Sequence, residues 1–144
     1  MNTLSSIQAG IAGEYFVAAE LSRRGYVASL TLRNTRGIDV LASNQDATKS
    51  VGIQVKTCKG GKPDWILGPK AEIDSAEHLC YVFVCLPEQG PPSFYIVPRN
   101  VVATAVRTEH TRWQETHEKS ESSVRKFRDT SGAYKDRWDL LGLD

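Results

Sequence analysis

The sequence predicts one α/β domain built around a mixed β-sheet. The order of its predicted elements supports this fold class: a helix, three strands, a loop or short helix, two strands and then further helices. The chain has 144 residues, of which 40% are apolar and 24% are charged, and this is an ordinary composition for one folded domain. We therefore expect residues 1–144 to form a single domain, with a core over about 5–110, a polar excursion over about 114–132 and a C-terminal helix over about 133–142.

The first predicted helix begins near Ser5 or Ser6, either of which is a suitable N-cap. It ends near Arg24, because Gly25 is a stop signal for a helix. Apolar residues recur along it at spacings of 4, 7 and 3, which predicts one buried face made of Ile7, Ile11, Ala18 and Leu21.

Five strands are predicted from short apolar and β-branched runs that are separated by turn residues. The run LCYVFVCL is apolar throughout, which is typical of a central strand covered on both faces. Gly, Pro and Lys dominate residues 58–69, so we expect a loop there, and helical patterns follow weakly over 70–78 and more clearly after Pro98. The five predicted strands are 26–32, 38–43, 51–57, 79–86 and 94–98.

Composition excludes several classes of protein. No apolar run approaches the roughly 20 residues that a membrane-spanning helix requires, and we expect no secretion signal. The three cysteines, Cys58, Cys80 and Cys85, have no metal-binding spacing and do not suggest a disulfide framework, so we expect a cytoplasmic protein. Residues 1–70 hold nine Lys and Arg against five Asp and Glu, a balance of +4 that suits a phosphate-bearing ligand but that also arises by chance.

The stretch GIQVKT, residues 52–57, places an amide and an ammonium on one face of a strand, because Gln54 and Lys56 flank Val55. Three interpretations are open. The strand is an edge strand with one hydrated face, or its lysine forms a structural ion pair, or its polar side chains belong to a catalytic site.

The register of a hairpin between residues 38–43 and 51–57 decides which polar groups meet. If paired residue numbers sum to 93 or 95, Asp39 lies opposite Gln54 or Lys56. Hydrophobic matching selects such an odd register, because it stacks four apolar side chains on the other face: Ile38, Val40, Ile53 and Val55.

The chemistry of this predicted cluster suits a metal-dependent reaction on a phosphate. The Asp39 carboxylate and the Gln54 amide oxygen are hard donors of the kind that Mg²⁺ prefers. Lys56 can hold a phosphate oxygen or stabilise charge in a phosphoryl transition state. Glu14 is a further candidate, because a carboxylate near the apolar face of a helix is unfavourable unless something pairs with it.

Three segments in the order GEYFVAAELSRRGY, RGIDVLA and IQVKT resemble the PD-(D/E)xK superfamily of restriction-endonuclease-like nucleases. Within that superfamily they are most similar to archaeal-type Holliday-junction resolvases and related small bacterial nuclease-like domains. The resemblance covers about residues 5–86. It implies a restriction-endonuclease-like α/β fold, with a central mixed sheet of about five strands flanked by helices. It also implies hydrolysis of DNA by a water that Mg²⁺ or Mn²⁺ activates.

Matched position by position, the resemblance implies that Asp39 is the main metal ligand and that the backbone carbonyl of Val55 is another. Lys56 matches the catalytic lysine, and Glu14 matches the helical acidic residue that supports the metal site. Gln54 departs from the pattern, because the family usually has Asp or Glu there; the loss of a negative charge predicts weaker Mg²⁺ affinity. The family's helix after the third strand is the second departure, since residues 58–69 do not predict one.

Five residues around the predicted site are candidate nucleic-acid contacts. The basic residues suit phosphate groups and the tryptophan suits a stacked base, although solvated arginines and a tryptophan that anchors the core or a loop are the alternatives. The candidates are Arg33, Arg36, Lys59, Lys62 and Trp65.

The leading functional hypothesis is a Mg²⁺-dependent DNA nuclease, with RNA as a further candidate partner. A homodimer is expected if the protein cuts opposite strands, since two sites are then needed. The first alternative is a non-catalytic relative that binds nucleic acid or a protein partner. The second is a structural domain whose polar trio is a buried network.

Overall fold

The computed structural model describes residues 3–32, 37–73, 78–117 and 122–144. Within these ranges the chain forms two α-helices, seven strands and two short 3₁₀ helices. The α-helices are α1 (Ser6–Arg23) and α2 (Arg99–Thr116), and the 3₁₀ helices are Pro69–Glu72 and Trp138–Leu141. The strands are β1 (Val27–Leu30), β2 (Val40–Ser43), β3 (Ser50–Lys59), β4 (Asp64–Leu67), β5 (Leu79–Leu86), β6 (Ser93–Pro98) and β7 (Arg125–Arg128).

Five strands form a central sheet in the order β1-β2-β3-β5-β6. Strands β3 and β5 are parallel and the other neighbours are antiparallel, so the predicted mixed sheet of five strands is confirmed. Side chains of β5 alternate between two buried clusters. Val82 and Val84 pack with α1 in the first cluster, on one face, whereas Tyr81 and Phe83 pack with α2 in the second cluster, on the other. The sheet is therefore flanked by a helix on each face.

Helix α1 begins at the predicted cap. The Ser5 hydroxyl accepts a hydrogen bond from the Gln8 amide, and the Gln8 side chain accepts one from the Ser5 amide, each at 3.2 Å. This capping box satisfies two backbone donors that the first helical turn leaves without partners. The predicted buried face was wrong in part, because Ile7 is 74% exposed. The side chains that pack on the sheet recur at a strict spacing of four: Ala9, Gly13, Val17 and Leu21.

Strands β4 and β7 correct two predictions. Residues 64–67 form a strand inside the predicted loop over 58–69, and residues 125–128 form its partner inside the predicted polar excursion over 114–132. The physical reason is the pairing of Trp65 with Phe127, which buries both rings against the second cluster. Each side chain needs a partner that lies far away in sequence, so neither segment shows a strand pattern of its own.

The C-terminal segment is less helical than predicted. Only Trp138–Leu141 forms a helix, of the 3₁₀ type, inside the predicted helix over 133–142. The Tyr134 carbonyl instead accepts a hydrogen bond from the Ile96 amide at 3.0 Å, and Lys135 bridges to Tyr95, so this part of the chain extends the edge of the sheet beside β6. Trp138 and Leu141 pack in the first cluster.

Helix α2, which the sequence predicts after Pro98, buries Val102 and Val106. Trp113 does not join them: it is only partly buried and its ring stacks with the rings of His110 and His117 along the helix surface. Among the residues that the structure describes, no helix has both the length and the apolar character that crossing a bilayer requires.

Candidate active site at the start of strand β2

Strands β2 and β3 pair in the predicted odd register. Val40 lies opposite Ile53 and Leu41 lies opposite Gly52, so that paired residue numbers sum to 93. This register brings Asp39, the residue before β2, to the level of Gln54. The hydrophobic matching that selected the register is also present, since Val40, Ile53 and Val55 all pack in the first cluster.

Asp39 is held at the point where β2 begins. Its backbone amide donates to the Ile53 carbonyl at 2.8 Å, and its carbonyl accepts from the Thr31 amide at 3.0 Å. Its carboxylate oxygen Oδ2 accepts a hydrogen bond from the Val55 amide at 2.7 Å. The carboxylate therefore contacts the main chain of the residue that separates Gln54 from Lys56.

Ile38 corrects the predicted alternation of the second strand. A side chain added at Gly52 would come within 3.3 Å of Ile38 Cδ1, which places Ile38 on the Gln54 face rather than with Val40. The reason is that the strand begins only at Val40, with a bend at Asp39, so the two-residue period does not extend back to Ile38.

Gln54 and Lys56 face a cavity of about 630 Å³ that Gly37 and Ile38 also line. Both side chains are partly buried, and neither forms a hydrogen bond or ion pair within the described ranges. The interpretation of Asp39 and Lys56 as a plain ion pair is therefore wrong. Two polar groups that are partly buried without protein partners are typical of a ligand-binding surface.

Glu14 lies on α1, immediately after the closest approach of that helix to β3. The approach is at Gly13, where an added Cβ would lie 1.9 Å from the hydroxyl oxygen of Thr57. Thr57 follows Lys56 along β3, and its buried hydroxyl has no hydrogen-bond partner in the described part of the chain. The helical acid therefore follows a contact on the α1 face of β3, whereas Gln54 and Lys56 line the cavity on the opposite face.

Two cations that sequence reasoning missed also line the cavity. Lys70 comes from the first 3₁₀ helix and Arg99 is the first residue of α2. Each residue directly follows a proline at the start of a helix, and this position is only a weak sequence signal for a binding residue. Their proximity to Lys56 depends on the packing of α2 against the 3₁₀ helix, which no local pattern predicts.

Comparison with known proteins identifies the fold. No protein-family model and no curated protein sequence matches the chain. A bacterial homing endonuclease, I-Ssp6803I, matches in structure with a TM-score of 0.58 and 14% identity, over 97% of this chain and 94% of that one. Hjc, a Holliday junction resolvase from the archaeal hyperthermophile Archaeoglobus fulgidus, matches with a TM-score of 0.54 and 12% identity, over 94% of this chain and 97% of that one. Both are restriction-endonuclease-like nucleases. This chain has the restriction-endonuclease-like fold.

The restriction-endonuclease-like fold separates the candidate nucleic-acid contacts from one another. Trp65 is 1% exposed and its indole N–H donates to the Val84 carbonyl at 2.9 Å, so it anchors the core and cannot stack on a base. Lys59 is exposed, and its ammonium donates to the Leu4 carbonyl at 3.1 Å. Because Leu4 precedes α1 and Lys59 is an odd-numbered position of β3, Lys59 faces α1 rather than the cavity.

The remaining candidates are less informative. Lys62 is exposed in the turn between β3 and β4, where its carbonyl accepts hydrogen bonds from the thiols of Cys58 and Cys85. Arg33 and Arg36 lie outside the described residues.

The oxygen donors of Asp39 and Val55, at the start of β2, are of the type that a hard cation prefers. No cluster of three His, Cys, Asp or Glu side chains with metal-binding geometry occurs in the ranges that the structure describes. Asp39 does not line the cavity that Gln54 faces, and its carboxylate instead contacts the main chain of Val55. The amide and the carbonyl of one extended residue point to the same side of a strand. Since the Val55 amide points at Asp39, the Val55 carbonyl projects from the same edge.

Proposed function

We propose that this protein is a metal-dependent nuclease that hydrolyses phosphodiester bonds of DNA. The observation that supports the proposal most directly is the hydrogen bond between the Asp39 carboxylate and the Val55 amide. It joins the acidic residue of one strand to the residue between Gln54 and Lys56, whose side chains face an open cavity without protein partners. The fold shared with a homing endonuclease and a Holliday junction resolvase supports the same class of activity.

In this proposal Asp39, the Gln54 amide oxygen and the Val55 carbonyl hold Mg²⁺ or Mn²⁺, and Glu14 supports the site from α1. The ion, when bound, lowers the pKa of a coordinated water and offsets negative charge on the phosphate. Gln54 contributes no charge, so Asp39 is the one anionic ligand on the two strands. Few protein ligands are sufficient for Mg²⁺, which usually keeps several waters.

Lys56 has the catalytic role in this proposal. Its ammonium, which no carboxylate neutralises in the described part of the chain, is free to approach a phosphate oxygen in the cavity. There it stabilises the negative charge that increases as the attacking water adds to phosphorus. A partly buried position strengthens this interaction, because fewer water molecules screen it.

A second candidate function is a non-catalytic module that binds nucleic acid or a protein partner. Gln54 favours it, because an amide at this position leaves the metal site with one carboxylate fewer than the sequence pattern of the superfamily contains. The two functions differ in their need for metal: a nuclease requires Mg²⁺ or Mn²⁺ to cut, whereas a pure binder holds DNA equally well in chelator.

The deciding experiment is cleavage of linear, nicked, branched and single-stranded DNA, with an RNA strand added to the panel, in Mg²⁺ or Mn²⁺. Wild type is compared with Lys56→Ala, Gln54→Glu and the charge-matched control Lys135→Ala, whose side chain is exposed beyond the far edge of the sheet. We expect wild type and the control to cut and Lys56→Ala to be inactive. Cutting by Gln54→Glu alone indicates a nuclease that the glutamine has inactivated. Cutting by Lys56→Ala at the wild-type rate contradicts the site assignment.

Two further parts of the proposal need their own measurements. A homodimer is expected if both strands of a duplex are cut, and sedimentation in the presence of substrate measures the number of subunits.

All three cysteines are free thiols, which suits a reducing compartment, so we place the protein in the cytoplasm. Cell fractionation tests that placement.

A further inference from the structure

The cavity beside Gln54 contains an excess of positive charge. Three cationic side chains line it, from β3, the first 3₁₀ helix and the start of α2: Lys56, Lys70 and Arg99. Among the described residues, no carboxylate lines it and none of the three cations forms an ion pair. Because charge beside apolar surface is costly unless a partner neutralises it, such a cavity favours an anionic ligand.

Among the described residues, three carboxylates on or beside these elements are already paired with arginines of β7. Glu72, which follows Lys70 by two residues, accepts from Arg125 at 2.5 Å. Arg128 binds Asp64 of β4 at 3.1 Å and Glu109 of α2 at 2.6 Å. These three carboxylates are thus engaged with β7 and none of them lines the cavity, so they do not neutralise its cations.

Arg99 is positioned for a two-point contact. Its Nε donates to the Ile73 carbonyl at 3.0 Å, which fixes the plane of the guanidinium. Ile73 directly follows the 3₁₀ helix that contains Lys70, so this bond places both cations on one wall of the cavity. Both terminal NH₂ groups of Arg99 remain free of protein partners in the described ranges, and a planar fork of this kind matches two oxygens of a phosphate.

Tyr81 lies at the base of the cavity and adds a neutral donor. Burial raises the pKa of its hydroxyl above the ordinary value, while the positive charge of Arg99 opposes that shift. The hydroxyl therefore keeps its proton at neutral pH and can donate a hydrogen bond.

We infer that this cavity binds a phosphate group of a nucleic-acid strand, with Lys70 and Arg99 as the contacts that hold the strand beside Lys56. Its volume of about 630 Å³ lies within the roughly 300–1,000 Å³ that is typical of small-ligand pockets. The inference rests on the proposed function for the identity of the ligand as DNA. The contacts themselves follow from the charges and hydrogen bonds described above, and they replace Lys59 and Trp65 as the expected nucleic-acid contacts.

The test measures binding without cleavage. A fluorescently labelled single-stranded DNA oligonucleotide is titrated in EDTA at several salt concentrations, and anisotropy reports the affinity. Wild type is compared with Lys70→Gln, Arg99→Gln, Arg99→Lys and the control Lys135→Gln. We expect about tenfold weaker binding for each Gln variant of the cavity, because each loses a charge-assisted contact. The slope of log affinity against log salt should fall by about one for each.

Arg99→Lys separates charge from geometry. This variant should recover the wild-type slope of log affinity against log salt, since the charge is kept. It should recover only part of the affinity, since the planar guanidinium that binds two oxygens is lost. Thermal unfolding of each variant checks that the fold is intact, because Arg99 also bonds to the main chain at Ile73. Wild-type affinity in both Lys70→Gln and Arg99→Gln would overturn the inference.

Binding measurements with two further ligands identify the source of the phosphate. An oligonucleotide with uncharged methylphosphonate linkages should bind far more weakly, and inorganic phosphate should compete only at much higher concentrations than DNA. Equal binding of the uncharged strand overturns the phosphate contact, and tight competition by inorganic phosphate overturns the nucleic-acid assignment. Because no metal is present, loss of cleavage in Lys56→Ala has no bearing on this result, and the two proposals can fail separately.

Discussion

The Asp39 carboxylate has a structural contact as well as a proposed catalytic one. Its bond to the Val55 amide occurs beyond the last backbone pair of β2 and β3. Without that bond the Val55 amide, in a buried residue, loses its acceptor. Loss of activity in an alanine variant therefore does not by itself distinguish chemistry from folding.

We expect Asp39→Asn and Asp39→Ala to separate these two contributions. An asparagine oxygen can still accept from the Val55 amide, so Asp39→Asn should change the free energy of unfolding little while abolishing cleavage and weakening divalent-ion binding. Asp39→Ala should lose about 1–3 kcal/mol of stability as well, because the amide is left without an acceptor. Urea unfolding and calorimetric titration with Mn²⁺ measure the two effects. Equal stability of both variants would argue against a structural role for the bond.

The three thiols should differ in reactivity. The thiol of Cys58 lies 3.4 Å from that of Cys85, and this hydrogen bond lowers the pKa of Cys58 below the ordinary thiol value and raises that of Cys85 above it. Burial raises the pKa of Cys80 to about 12. Because the thiolate is the reactive form, we expect iodoacetamide at pH 7.5 to modify Cys58 first.

Peptide mapping by mass spectrometry measures this order. Cys85→Ala is the informative variant: it removes the bond partner, so it should raise the pKa of the Cys58 thiol and slow its alkylation at pH 7.5. Modification of Cys80 as fast as Cys58 in the folded protein would contradict the assignment.

At the scale of elements, the contact between α1 and β3 depends on the absence of a side chain at Gly13. A methyl group there would lie 1.9 Å from Thr57 Oγ1 and 3.1 Å from Thr57 Cβ. We expect Gly13→Ala to destabilise the fold by about 1–3 kcal/mol, as overpacking does in other cores. Since Glu14 is the next residue, displacement of the helix should also reduce activity.

Gly10 provides the matched control, because it lies in the same helix with nothing within 4 Å of an added Cβ. Gly10→Ala should stabilise the protein by roughly 0.5–1 kcal/mol through helix propensity. Adding Thr57→Ala to Gly13→Ala should recover part of the loss, because it removes the nearest clashing atom. Urea unfolding of wild type and the three variants measures these effects, and a double variant no more stable than Gly13→Ala would show that the clash is elsewhere.

The elements that the sequence predicts well are those with local signals. Residues 79–86 form β5 with the predicted bounds, since a continuous apolar run identifies a strand covered on both faces. Helix α1 ends at Arg23, one residue before the predicted end at Arg24, because Gly25 is a local stop signal. The short strands β4 and β7 were missed because their pairing joins residues 64–67 to 125–128, and no local pattern contains that information.

The site follows the same division. The pairing of β2 with β3, in which paired residue numbers sum to 93, could be predicted, because a one-residue shift would place apolar side chains on the polar face. Lys70 and Arg99 could not be predicted, because the cavity they line exists only after α2 packs on the 3₁₀ helix. For Trp65 the sequence left two roles open, a stacking contact for a base and an anchor for the core or a loop. The structure shows the core anchor, because the ring is buried and its N–H bonds to the main chain.

At the scale of the whole molecule, the sheet separates two hydrophobic clusters that meet different demands. The cluster beneath α1 contains the apolar residues that fix the register of β2 and β3. The cluster beneath α2 is rich in aromatic rings, with Phe83 and Phe127 stacked at 4.7 Å, and it supports the strands and helices that border the cavity. A rigid aromatic layer behind the cavity suits a site whose cations must keep fixed positions and have no carboxylate partner among the described residues.

Global stability should fall at alkaline pH, and Cys80 should contribute to that fall. Burial raises the pKa of this thiol from 9.0 to about 12 in the folded protein, so between these values the folded state holds a proton that the unfolded state has lost. The free energy of unfolding therefore decreases as pH rises through this window, by about 1.4 kcal/mol per pH unit for one such group. Below pH 9 the contribution is constant.

The comparison of wild type with Cys80→Val isolates this group, because Tyr81, Cys85 and Tyr95 also have raised pKa values and contribute in the same direction in both proteins. Urea unfolding between pH 8 and pH 10.5 should show wild type losing about 2 kcal/mol more than the variant, the amount expected for a single thiol titrating from 9 in the unfolded chain. Parallel curves for the two proteins would mean that Cys80 ionises as easily inside the sheet as outside it. The burial of β5 between two helical layers leads us to expect the opposite, because a thiolate there would have neither water nor a cation to stabilise it.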